Sequence, residues 1–402
     1  MKLKNFTAVL LGVFLWAVCI CSFSSVAEAT GYIPKGEKNK ASSSWKKNNT
    51  ASADYQLNIG LANGVVQASV GMNSEYTVLD MASGSVLGRF KGNVLSVITV
   101  SGNRLAINGK KVNSQSVVLK PINKLESNAV IYNGNKYRGA LNVKINKSGS
   151  LLVLNNVTVD DYLMGTVPSE MSPSWSKSAL EAQAVAARTY ALYTKNQHSS
   201  EGYDLCTSTH CQVYSGIAKE SPSTTLAVKS TQGYVMTYGG KPICAVFHSS
   251  SGGRTENAEN VWGNYNPYLR SVADEDNSPN KNWTVSFTSA EMQKLLARGS
   301  KDVGAIKSVQ MVNSSDRSAV VRFKGSKGTI DLSGVKLRSL CGLKSSMFTV
   351  RSGGRQIIFD GHGYGHGLGM SQYGAKAMAE KGKSWQDILK HYYTNISIDK
   401  MY

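Results

Sequence analysis

Glu170 stands in the segment Gly165-Thr166-Val167-Pro168-Ser169-Glu170-Met171-Ser172-Pro173. A single carboxylate held in a tight turn immediately before a helix is a candidate general acid or base. Ser172 has the character of a helix N-cap and Pro173 that of a first helical residue. The spacing therefore predicts a helix over residues 178–192 with Glu170 in a tight turn at its mouth. Ala179, Ala182, Ala184, Ala186, Ala187 and Ala191 would let that helix pack closely on its neighbours. A carboxylate there could instead only complement the helix dipole. The dipole also lowers its pKa, whereas a general acid needs it raised by burial. Catalysis by Glu170 thus requires a desolvated site.

A second cluster has metal chemistry. Cys206-Thr207-Ser208-Thr209-His210-Cys211, with His198 upstream, supplies two thiols and two imidazoles. That is the donor set of a closed tetrahedral zinc site, which would be structural. In an oxidising compartment, a Cys206–Cys211 disulfide is the competing reading. Cys244 and Cys341 lie in apolar, strand-like contexts and read as buried free thiols, with a disulfide between them as the alternative.

Two further segments could bind a ligand. Phe247-His248-Ser249-Ser250-Ser251-Gly252-Gly253-Arg254-Thr255-Glu256-Asn257 offers hydroxyls and free amides but lacks the Gly-x-Ser-x-Gly elbow of an acyl-transfer nucleophile. Gly361-His362-Gly363-Tyr364-Gly365-His366-Gly367-Leu368-Gly369 is too glycine-rich for a helix, and its two histidines have no acidic companion. A helical metal motif is therefore disfavoured. After it, residues 371–380 read as a helix capped by Ser371, with Gln372 and Tyr373 at its mouth.

Length and patterning bound what carries these groups. The 402-residue chain opens with Lys2 and Lys4, an apolar run and Ala27-Glu28-Ala29. Those are the parts of a secretory signal peptide over residues 1–29, with a retained membrane anchor as the alternative. A polar, lysine-rich tract at 30–54 reads as a linker or tether. Short β-type runs punctuated by Gly and Asn then give a β-rich portion over 55–160. Residues 161–402 form the catalytic portion, with the Ala-rich helix, a helix at 289–298, strands between 305 and 350 and a final pair of short helices. Strands and helices without βαβ alternation argue for an α+β fold in one large unit. The net charge of +19 implies an anionic partner. For an exported protein, anionic cell-wall polymers fit better than nucleic acid, for which no motif is present.

Taken together, Val167-Pro168-Ser169-Glu170-Met171 through Ala187-Arg188-Thr189-Tyr190, the segment 247–257 and Gly361 through Gly369-Met370-Ser371-Gln372-Tyr373-Gly374-Ala375 closely resemble the stage II sporulation protein D / amidase-enhancer family. The resemblance runs from about residue 53 to the C-terminus. It implies a lytic transglycosylase that cleaves peptidoglycan glycan strands, with Glu170 as acid/base. It also implies a zinc ion in the His198, Cys206, His210 and Cys211 loop, and a place for Arg188 near the glutamate, for which a structural ion pair is the competing reading. Glycan contacts would come from Arg188, Ser249, Ser251, Gly252, Gly253, His362, His366, Gln372 and Tyr373. The amidase-enhancer members imply a different role, in which a wall-binding protein assists a separate cell-wall amidase.

One carboxylate suffices for lytic cleavage. Hydrolytic glycosidases use two, one of them serving as nucleophile or base. In the lytic reaction the sugar's own 6-hydroxyl attacks the anomeric carbon, and the product carries a 1,6-anhydro muramic acid end.

Overall fold

The computed structural model describes residues 55–313, 316–353 and 356–402. The expected signal segment 1–29 and tether 30–54 lie outside the described residues. The fold is α+β. Two antiparallel-rich sheets come first. One orders its strands Leu205–Cys206, Gln56–Val65, Leu151–Thr158, Ala140–Ile145, Ser116–Pro121, Tyr76–Asp80 and Val86–Phe90. The other is built on Gln67–Met72 and Ser96–Ser101 and includes Val130–Tyr132. Alternation along each strand drives one face inward. In the register Leu141↔Leu119 and Val78↔Leu119, all three residues are fully buried. Val70, Ile98 and Val130 of the second sheet join the same core.

Helix α1 (Val159–Glu170) follows directly from strand Leu151–Thr158. Its N-cap Thr158 accepts the Asp161 N–H, and Asp160 and Asp161 complement the dipole in its first turn. Its end is also written locally. Pro168 removes one intrahelical donor, Met171 is extended, and the Ser172–Pro173 pair disfavours further helix. Helix α2 (Lys177–Tyr193) begins after Ser176, whose side chain makes no capping bond, and not after Ser172 as its sequence suggests. Residues 172–175 instead form a turn in which the Trp175 N–H bonds the Ser172 carbonyl at 3.1 Å. The consequence is a correction: Glu170 closes α1 and does not sit at the mouth of α2.

Helix α2 is buried on both sides, which is why it is rich in alanine. Ala184, Ala187 and Ala191 face the first core. Ala179, Ala182, Val185 and Ala186 face a second. The second core also holds residues of α3 (Pro222–Ser230), α4 (Ala258–Trp262), α7 (Gln372–Glu380) and α8 (Trp385–Tyr392). Residues 282–362 have a third core of their own. It is formed by strands including Asn282–Thr288, Val320–Gly325 and Gln356–His362 with α5 (Ser289–Gly299) and α6 (Gly334–Cys341). The expected helix at 289–298 is α5. Helix α6 interrupts the run of strands expected from 305 to 350. No helix among the described residues is long and apolar enough to cross a membrane.

Candidate active site and metal cluster

Glu170 is half-buried at the C-terminal end of α1. Its Oε1 accepts the Val213 N–H at 3.4 Å, and it forms no ion pair among the described residues. Burial raises its carboxyl above the usual carboxylate range, and the Val213 N–H only partly opposes that shift. The negative end of the helix dipole acts in the same direction as burial. A helix mouth would have lowered the pKa; a helix end leaves a carboxyl suited to giving a proton.

The backbone around Glu170 is held by α7. Ser371 caps α7 by accepting the Gly374 N–H. The next residue, Gln372, directs its Nε2 onto the Glu170 carbonyl at 3.1 Å and onto Gln183 Oε1 at 3.3 Å. Tyr373 lies edge-on to Trp175 with ring centroids 4.9 Å apart, and its N–H bonds the Ser249 carbonyl. Ser169 Oγ meets Ser215 Oγ at 3.4 Å. Gln372 and Tyr373 stand at the start of α7, as the capping pattern suggested, and Gln372 reaches the Glu170 backbone. Val213, Trp175, Gln183 and Ser215 were not foreseen. Val213 and Ser215 lie in the stretch just after Cys211, and that proximity is the only sequence signal they carry.

Other expected ligand contacts are placed elsewhere. Arg188 is fully buried. Its guanidinium bonds Asp160 Oδ1 at 2.9 Å and the Val228 carbonyl at 3.0 Å, with longer contacts to Thr231 and Tyr234. It ties the start of α1 to α2 and α3 and cannot touch a glycan. The hydroxyls of the serine loop are committed internally: Ser250 to Asp276, and Ser251 to Asp274 at 2.5 Å. The Gly252 N–H is taken by Asp276, and the Gly253 N–H by Ser251 Oγ. Only Ser249, half-buried, keeps a hydroxyl outside this network.

The glycine-rich run packs against the serine loop. A Cβ at Gly363 would lie 2.6 Å from the Ser250 carbonyl oxygen, and its φ of +74° also favours glycine. His366 bonds the Phe247 carbonyl and accepts the Leu368 N–H, each at 3.0 Å. Burial, with Arg338 and Arg317 nearby, pushes its imidazole down to about 3 and keeps it neutral, and both ring nitrogens are already taken by these backbone partners. His362 is exposed and pairs with Asn282 at 2.8 Å.

His198, Cys206, His210 and Cys211 converge, with their ligand atoms all within 4.8 Å of one another. Cys211 Sγ lies 3.5 Å from His198 Nε2 and 3.7 Å from His210 Nδ1, and Cys206 Sγ lies 3.8 Å from His210 Nδ1. A tetrahedral zinc with ordinary bond lengths separates a thiolate from an imidazole nitrogen by roughly 3.6 Å. Glu201 bonds His198 Nδ1 at 2.8 Å, which leaves Nε2 facing the cluster. All four described cysteines are free thiols, so neither a Cys206–Cys211 nor a Cys244–Cys341 bridge forms.

Comparison with known proteins follows the same residues. The family described as Stage II sporulation protein matches residues 147–238, which contain Glu170 and the Cys/His cluster. The chain is 36% identical over 267 residues to Stage II sporulation protein D of Bacillus amyloliquefaciens, covering 61% of this chain and 76% of that protein. It is 34% identical over 318 residues to an uncharacterized protein of Brachyspira hyodysenteriae, covering 77% and 85% of the two chains. It is 30% identical over 356 residues to an amidase enhancer of Bacillus subtilis, 75% of this chain but 49% of that protein.

Proposed function

Because the chain belongs to the stage II sporulation protein D family, we propose that it acts on the cell wall as an exported peptidoglycan lytic transglycosylase with Glu170 as general acid/base. The observation that carries this reading is a half-buried carboxyl of raised pKa with no charged partner among the described residues. Glu170 gives its proton to the glycosidic oxygen as the bond to the anomeric carbon breaks. The 6-hydroxyl of the same muramic acid attacks that carbon and returns its proton to Glu170. The carboxyl is regenerated, no water is consumed, and the sugar ends as a 1,6-anhydro ring. Tyr373 and its neighbours Trp175 and Ser249 would contact the glycan in this reading.

The donor set and spacing of His198, Cys206, His210 and Cys211 support one structural Zn2+ with no ligand position left open. When bound it supplies rigidity, not chemistry. The chain continues from this cluster through Gln212, which accepts from Tyr162 at 3.4 Å, to the Val213 N–H on Glu170. Anionic wall polymers are the second proposed partner. Residues 282–362 carry thirteen Lys or Arg against five Asp or Glu, so this part of the molecule is strongly cationic. Its outer sheet face forms an open depression of about 640 Å³ lined by Lys301, Gln310, Arg322, Lys324, Thr329 and Asp331.

The second reading, assistance to a cell-wall amidase, rests on the amidase-enhancer relative, of which the chain spans about half the length. Digestion of purified glycan strands followed by mass analysis separates the two. Anhydro ends support the transglycosylase, reducing ends would indicate hydrolysis, and intact strands favour the amidase helper.

A further inference from the structure

Gln183 lies in the middle of α2 and is fully buried among alanines. Such a position ordinarily takes an apolar residue, because a buried amide must be compensated by hydrogen bonds. Gln183 is poorly compensated. Its Oε1 accepts from Gln372 Nε2 at 3.3 Å, and its own Nε2 has no partner among the described residues. A polar group kept in a core at a net cost to stability marks a site serving something other than stability.

The one contact it makes indicates what is served. Gln372 is itself nearly buried, and its Nε2 also donates to the Glu170 carbonyl. That carbonyl is one of the orphan acceptors at the end of α1. An amide can present either its oxygen or its nitrogen, and only the nitrogen holds a carbonyl. The Gln183 oxygen, on the other side of Gln372, favours the orientation with the nitrogen toward both acceptors. We propose that Gln183 is a positioning residue that acts through Gln372 to pin the last turn of α1, and hence the Glu170 carboxyl, for proton transfer. The role rests on Glu170 being the acid/base, but the pinning itself is independent of that reading.

The test replaces Gln183 in the full chain with Met, of similar volume and without an acceptor, and with Glu, which keeps an acceptor at the same reach. Gln183→Met removes a buried amide nitrogen that lacks a partner but also leaves one Gln372 N–H without its acceptor, and these opposing effects are expected to leave Tm nearly unchanged. Its kcat on purified glycan strands is expected to fall about tenfold to a hundredfold with KM unchanged, since small misplacement of a reacting group costs rates of that order. Gln183→Glu is expected to restore most of that rate. Hydrogen exchange of the peptide spanning residues 167–175 is expected to quicken in Gln183→Met and return toward wild type in Gln183→Glu. Unchanged exchange in Gln183→Met overturns the proposal whether or not the protein cleaves glycan. Quickened exchange with unchanged kcat in a cleaving protein overturns the catalytic part. If no form cleaves, the proposed activity fails while the exchange result still decides the pinning.

Discussion

A carboxyl gains proton affinity when it loses water and faces the negative end of a helix, and Glu170 has both conditions. The sign for stability follows. The native state holds this proton more tightly than the unfolded chain, so stability falls as pH rises from the unfolded carboxylate range through the raised native value. Glu170→Gln removes that penalty. Its Tm is therefore expected to exceed that of wild type at neutral pH, with the gap closing at acid pH; a lower Tm for the variant at neutral pH would contradict the burial argument. Activity that needs the protonated acid should fall on the alkaline side of the same raised pKa. Arg188 illustrates the opposite case. Breaking a buried ion pair by removing one partner costs about 3–5 kcal/mol, so Arg188→Met is expected to lower stability strongly while the surviving folded enzyme makes the same product. A changed product with normal stability would return Arg188 to the substrate. Of the two readings open for Arg188, a place near the glutamate and a structural ion pair, the ion pair with Asp160 is the one that forms. Burial is set by the packing of α3 and strand Tyr234–Tyr238 against it, which local sequence does not record.

The elements explain which parts of the site could be read in advance. Ser371 and the residues after it fold as their capping pattern suggests, so Gln372 and Tyr373 were found. The Cys/His cluster was legible because four soft donors within fourteen residues have few other uses. The start of α2 was not, since Ser172-Pro173 and Ser176 both satisfy the local rules for a helix start and the Trp175 turn decides between them. The serine loop was misjudged for a related reason. Its hydroxyls are spent on Asp274 and Asp276, more than twenty residues away. Cys211 lies two residues before Val213, whose N–H bonds Glu170, so the proposed zinc ligands and the proposed acid share one stretch of chain. Cys206→Ser is expected to release one equivalent of zinc, measured by metal analysis, and to lower Tm without altering the anhydro product. Full zinc retention in the variant would exclude Cys206 as a ligand.

Across the whole molecule, the fold class was legible from alternating strand patterns, whereas the separate core of residues 282–362 was not, because it forms by long-range pairing of strands such as Asn282–Thr288 with Gln356–His362, which local sequence does not record. The same basic module and the lysine-rich tract 30–54 bear on wall binding. Exposed charges at these densities act through salt-screened contacts, so sedimentation with purified wall is expected to weaken from low to physiological salt. Deleting 30–54 should flatten that dependence while cleavage of short soluble glycans barely changes; loss of that cleavage would place the tract in the catalytic fold. The central claim is that one carboxyl performs the chemistry. It is tested most directly by incubating purified glycan strands with wild type and with folded Glu170→Gln and counting 1,6-anhydro muramic acid ends by mass spectrometry. Wild type is expected to yield such ends, and the variant to form them about 10²–10⁴-fold more slowly. Equal yields from the two proteins would contradict it.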